Sequence, residues 1–234
     1  MKIPVLKSSI KKKPDVIIFD WDNTLVDTWP VIADSLNAAL SAFDKKPWTM
    51  QQVKTKVKHS LRDSFPTLFG QNWKSAAKIF YKRFEMIHTK LLCPIKGIPE
   101  MLDALTESGI QLSIVSNKRG DYLRNEIDFL NWCHYFNNIV GANDAEFDKP
   151  SVKTIEMALK YASKSENINV WFVGDSNIDM ECAINSGCIP ILLRKNPPFI
   201  DEFKDFKPTL HFLNGRQLCE KLKSLNYLEK NNNI

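Results

Sequence analysis

The sequence predicts an α/β fold: a Rossmann-like parallel sheet core with an inserted all-helical cap domain. Three observations predict it. Short apolar runs rich in β-branched residues recur along the chain. Helical patterns alternate with them, as parallel crossover units require. One interval between two such runs is several times longer than the dozen or so residues that a parallel crossover needs.

The runs are Val16–Phe19, Leu112–Val115, Ile139-Val140, Val170–Val173 and Ile189–Leu193. Each is bounded by Asp, Asn, Ser, Gly or Pro. None alternates apolar with polar, so each reads as a strand covered on both faces. Pro99 to Ser108 is amphipathic and stops at Gly109, a natural residue for the left-handed turn after a helix. Ser151 to Tyr161 places Val152, Ile155, Ala158 and Leu159 on one face behind a Ser151 N-cap. A further helix runs from Asp179 to Ser186 and stops at Gly187.

The long interval lies between Asp20 and Ser116. It holds helical patterns near Trp29–Phe43 and Thr49–His59, and a long one over Asn72–Leu92. In the last, Trp73, Ala77, Phe80, Phe84, Ile87 and Leu91 form one apolar stripe. A lone helix cannot bury such a stripe, so residues 27–92 are expected to fold as a separate helical cap. Residues 1–26 and 93–234 then form the α/β core.

The chain has 234 residues, 44% hydrophobic and 25% charged, enough for one large domain or two small ones. No apolar run approaches the roughly 20 residues of a membrane span, so no membrane partner is expected. The N-terminus is basic but lacks the features of a secretory signal. Lys11-Lys12-Lys13 has no interleaved aromatics, and with a net charge of only +5 it reads as a solvated leader with no nucleic-acid partner. The five cysteines form no C-x-x-C pair, which implies reduced thiols, mostly as small core hydrophobes, in a cytoplasmic protein. A monomer is expected.

Parallel α/β sheets bind ligands outside the carboxyl ends of their strands. Asp20 and Asp22 follow the first run, Ser116 and Asn117 the second, and Gly174-Asp175-Ser176-Asn177-Ile178-Asp179 the fourth. Lys149 precedes a helix start in Phe147-Asp148-Lys149-Pro150-Ser151. Acids, a lysine and a hydroxyl therefore meet at one sheet edge. Such a cluster repels itself without a cation, and hard carboxylate oxygens suit Mg²⁺ beside a phosphate. Taken singly, Asp22, Asp175 and Asp179 are also ordinary turn or N-cap residues.

DWDNT, an insertion, then SNK, DKPS and GDSNIDM closely resemble, in order, the four motifs of the haloacid dehalogenase superfamily in its phosphatase branch. The resemblance covers nearly the whole chain. It implies that Asp20 is the nucleophile forming an aspartyl-phosphate, and that Asp22 is general acid and then general base. It implies that Lys149 offsets phosphate charge, and that Ser116 and the Asn117 backbone hold phosphate oxygens. Asp175 would ligate Mg²⁺ with Asp20 and the Asp22 main-chain carbonyl, with Asp179 beside them. Asn23 departs from the family's commoner glycine, and asparagine tolerates the left-handed backbone expected there. Pro94 to Glu100 resembles the family's re-entry from cap to core.

The stretch His59-Ser60-Leu61-Arg62-Asp63-Ser64-Phe65 resembles the cap loop of phosphoglycolate-phosphatase-like members. Arg62 would then pair with a substrate carboxylate, or else be an exposed arginine at a helix start. The resemblance implies a phosphomonoesterase acting on a small phosphorylated metabolite. A phosphosugar mutase of the β-phosphoglucomutase type shares these core residues. A catalytically idle binding module of the same fold is the alternative from another class, against which the intact acids argue. The dehalogenase branch lacks the second Asp and the metal-binding acids kept here.

Overall fold

The computed structural model describes residues 12–57, 61–160, 162 and 168–228, with the side chains of residues 61–63 outside that description. The chain divides into two compact units, residues 1–26 with 94–234, and residues 27–93.

The first unit is built on a six-stranded sheet. Its strands are β1 (Val16–Phe19), β4 (Gln111–Arg119), β5 (Asn138–Ala142), β6 (Val170–Gly174), β7 (Ile189–Leu193) and β8 (Leu210–Phe212). They lie in the order β5-β4-β1-β6-β7-β8, and every pairing with a register is parallel. The short β2 (Val26–Asp27) and β3 (Cys93–Pro94) pair with each other. The helices are α5 (Ile98–Glu107), α6 (Gly120–Phe129), α7 (Val152–Ala158), α8 (Asn177–Asn185) and α9 (Gly215–Ser224). No described helix is long and apolar enough to cross a membrane.

Side chains alternate along a strand, so each buried strand feeds two cores. Val16 and Ile18 of β1 join Val115, Val140, Val170 and Phe172 against Ile155 and Ala158 of α7 and Cys182 and Ala183 of α8. Ile17 and Phe19 are equally sealed on the opposite face. This double coverage is why the runs are continuously apolar.

Register positions the site. Phe19, the last residue of β1, pairs with Ile114 of β4 and Val173 of β6. The next positions carry Asp20, Val115 and Gly174, so Ser116 and Asp175 emerge one step further along on strands flanking Asp20.

The second unit is helical: α1 (Trp29–Ala42), α2 (Met50–Lys56), α3 (Leu61–Phe69) and α4 (Trp73–Ile87). Thr49 and Gln52 close a capping box at the start of α2. The long helix stops at Ile87, short of the expected Leu92. The buried stripe runs through Ala76, Phe80, Phe84 and Ile87, Trp73 and Ala77 of the expected stripe are only partly buried, and Leu91 is 42% exposed. Phe65 packs on Phe69 and Phe80, and Phe69 on Phe43, giving this unit an aromatic centre of its own. Arg83 of α4 forms a two-bond ion pair with Asp34 of α1.

Sequence periodicity missed α6, α9 and β8, the two-residue β2 and β3, and α3 of the helical unit. β8 has only three residues, too few to show a period. All five cysteines are free; Cys182, Cys188 and Cys219 are buried, but Cys93 and Cys133 are exposed rather than core residues.

Candidate active site

Asp20 follows β1 directly, and its N–H still donates to Val173 O at 2.9 Å. The carboxylate is buried. Its Oδ1 accepts from Lys149 Nζ at 2.6 Å and its Oδ2 from Thr24 Oγ1 at 3.3 Å. Lys149 Nζ also donates to Asp179 Oδ1 at 2.7 Å. Carboxylate oxygens of Asp20, Asp175 and Asp179 all lie within 4.8 Å of one another.

Asp179 also caps α8. Its Oδ2 accepts from Ser176 N at 3.0 Å and from Ser176 Oγ at 2.5 Å. Gly174 makes room for it, since a Cβ there would lie 2.4 Å from Asp179 Cβ. Arg194 Nη1 donates to the Asp175 carbonyl at 2.9 Å and pairs with Glu202, which braces the loop from the far side.

Lys149 is held from below by Asn117. The Asn117 Oδ1 accepts from Lys149 N at 2.9 Å, and its Nδ2 donates to Lys149 O at 3.1 Å. The sequence pointed only to the Asn117 backbone, so this side-chain clamp is new. Ser116 is buried, and its Oγ accepts from Lys118 N at 3.2 Å.

Asp22 stands apart from the acidic cluster. β1 stops at Phe19, so the two acids are not strand neighbours on one face. Asn23 takes a left-handed φ of 62°, as its residue type allows, and donates to Val26 O at 2.7 Å. The turn directs Asp22 Oδ1 to 2.7 Å from Lys118 Nζ. Trp21, between the acids, points into the core and donates to Glu126 Oε2 at 2.7 Å. The sequence reading quoted Lys118 only as the last residue of SNK, with no role, and passed over Glu126 and Arg194. Glu126 does leave a signal: it shares the otherwise apolar face of Tyr122, Leu123 and Ile127 on α6. The Arg62 side chain lies outside the described residues.

The electrostatics follow from burial. Desolvation pushes the Asp20 carboxyl up to about 7 against the pull of Lys149, with Asp179 and Asp22 adding to the rise. Burial likewise raises Asp175 well above the usual range, helped by the charges of Asp179 and Asp20. Burial alone would lower Lys149, but Asp179 and Asp20 more than offset it and keep the ammonium charged. Lys118 is also raised, because Asp22 and Glu126 outweigh its desolvation. The pocket is thus short of positive charge. An all-oxygen set of three clustered carboxylates fits a hard divalent cation.

The model of the haloacid dehalogenase-like hydrolase family matches residues 17–192. A phosphoglycolate phosphatase of Aquifex aeolicus is 28% identical over 180 residues, covering 74% of this chain and 81% of that one. The pyrophosphatase PpaX of Listeria innocua is 27% identical over 178 residues, covering 74% and 80%. A solved haloacid dehalogenase-like family hydrolase from Streptococcus pneumoniae has the same fold, with a TM-score of 0.78 at 18% identity, covering 89% and 99%. The match to the family model spans most of the sheet and all four motifs, and the chain belongs to the haloacid dehalogenase-like hydrolases.

Proposed function

We propose that this hydrolase is a Mg²⁺-dependent phosphomonoesterase that cleaves a small, phosphoglycolate-like phosphorylated metabolite through an aspartyl-phosphate on Asp20. The observation that carries the reading is the buried Asp20–Lys149 pair at 2.6 Å, with two further carboxylates within reach of the same point. The names of the relatives support a phosphate-bearing substrate.

Asp20 attacks phosphorus, the bond from phosphorus to the ester oxygen breaks, and Asp22 gives that oxygen its proton. Asp22 then takes a proton from water as the water attacks the phosphorylated Asp20, releasing inorganic phosphate and restoring the carboxylate. Ser116 and the Asn117 N–H hold phosphate oxygens, and Lys149 offsets their charge. Asp20, Asp175 and the Asp22 carbonyl would hold Mg²⁺, with Asp179 beside them. When bound, the ion supplies the positive charge that lets an anionic carboxylate approach an anionic ester. Arg62, on the helical unit, is proposed to meet a substrate carboxylate.

The test is turnover of p-nitrophenyl phosphate with Mg²⁺ and with EDTA, in the wild type and in Asp20→Asn. The wild type is expected to be active only with Mg²⁺. Asp20→Asn is expected to lose roughly three or more orders of magnitude while keeping its fold, since the covalent route is closed. Substantial activity in Asp20→Asn would overturn the nucleophile. A panel of phosphorylated metabolites, with phosphoglycolate and pyrophosphate among them, then ranks substrates. A requirement for a bisphosphosugar would instead identify a mutase.

A further inference from the structure

Beneath Asp22 lies a second charged cluster that the steps above leave unused. Lys118 sits two residues past Ser116 on β4, with its side chain only 6% exposed. Its Nζ is 2.7 Å from Asp22 Oδ1 and 2.5 Å from Glu126 Oε2. The Glu126 side chain, on α6, is 1% exposed and also accepts from Trp21 Nε1. Trp21 packs edge-on against Trp132, with ring centroids 5.9 Å apart.

Sealing a lysine and a glutamate inside a core carries a desolvation cost, and an apolar pair of the same volume often holds a fold as well. The placement therefore calls for a use beyond packing. Of the three charged groups, Asp22 is the most open, with 29% of its side chain exposed. A carboxylate on a turn has rotamer freedom, and proton transfer demands a narrow geometry. The ammonium removes that freedom, and Glu126 with Trp21 fixes the ammonium.

We propose that Lys118, braced by Glu126 and Trp21, is a positioning residue that holds the Asp22 carboxyl group in the one orientation from which it gives a proton to the leaving alcohol and then takes one from water. The proposal rests on the phosphomonoesterase reading. Lys118 itself gives up no proton and touches no reacting atom.

The test compares kcat/KM for two esters, because kcat/KM reports only the steps through departure of the alcohol. One ester is the best alkyl monoester from the metabolite panel, whose alkoxide needs a proton to leave. The other is 2,4-dinitrophenyl phosphate, whose phenolate leaves without one. Lys118→Met is expected to lower kcat/KM for the alkyl ester by about tenfold or more and for the aryl ester by less than about threefold, as a displaced general acid does. Lys118→Met with Glu126→Gln removes both buried charges and guards against a folding defect, which circular dichroism checks. It is expected to show the same selective loss. Asp22→Asn serves as the reference.

Equal losses on both esters in both Lys118 variants would mean a purely structural role and overturn the proposal. A selective loss in Asp22→Asn without one in either Lys118 variant would overturn it while sparing the acid role of Asp22. If Asp22→Asn shows no selectivity, or the wild type cleaves neither ester, the underlying reading falls and the positioning role falls with it.

Discussion

As the proposed nucleophile, Asp20 meets two opposing demands. A nucleophile must be ionised, yet the burial that excludes water raises its carboxyl to about 7. An unfolded chain releases this proton near 3.8, so between about 4 and about 7 the metal-free native state binds more protons than the unfolded one. The contribution of this group to stability therefore declines as pH rises through that window. A cation at the cluster competes with the proton, and its binding should release protons. Mg²⁺ affinity is accordingly expected to weaken as pH falls through about 7. Calorimetric titration in buffers of differing ionisation enthalpy reads both the affinity and the protons released. An affinity that does not change across that range would separate Asp20 from the cation site.

At the scale of elements, the site depends on how strand ends are tied to loops. Asn117 links the end of β4 to the Lys149 loop through two hydrogen bonds between its side-chain amide and the Lys149 backbone. Asn117→Ala removes both, each worth about 1 kcal/mol to stability. The larger effect is expected on chemistry, because a displaced ammonium no longer sits 2.6 Å from Asp20. We expect kcat/KM on p-nitrophenyl phosphate to fall by roughly 10- to 100-fold with the fold retained, measured beside a thermal melt. Unchanged kinetics would show that Lys149 is located without this clamp. The apolar strands of the sheet centre were legible, because continuous β-branched runs have little other use in an α/β chain. The short edge strand β8 was not. The helical stripe ending at Leu91 was overextended, because periodicity does not reveal where a chain leaves its helix.

Over the whole molecule, the strand order β5-β4-β1-β6 sets the loops after β4 and β6 on either side of Asp20. The acids there repel one another across residues remote in sequence, so a bound cation should stabilise the fold itself. At a free Mg²⁺ concentration a hundred times its Kd, the gain is expected to be about 2.7 kcal/mol, visible as a raised Tm. Asp175→Asn is expected to lose most of that gain. An equal rise in the variant would place the ion elsewhere. The motif acids, the parallel strands and the family resemblance needed only local residue order, because backbone propensity and strand-end chemistry are written within a few positions. The Lys149–Asp20–Asp179 contacts, the Asn117 clamp and the Lys118–Glu126 brace under Asp22 needed the folded chain. Each joins side chains on separate elements, and only sheet register and the turn at Asn23 determine which of them face one another.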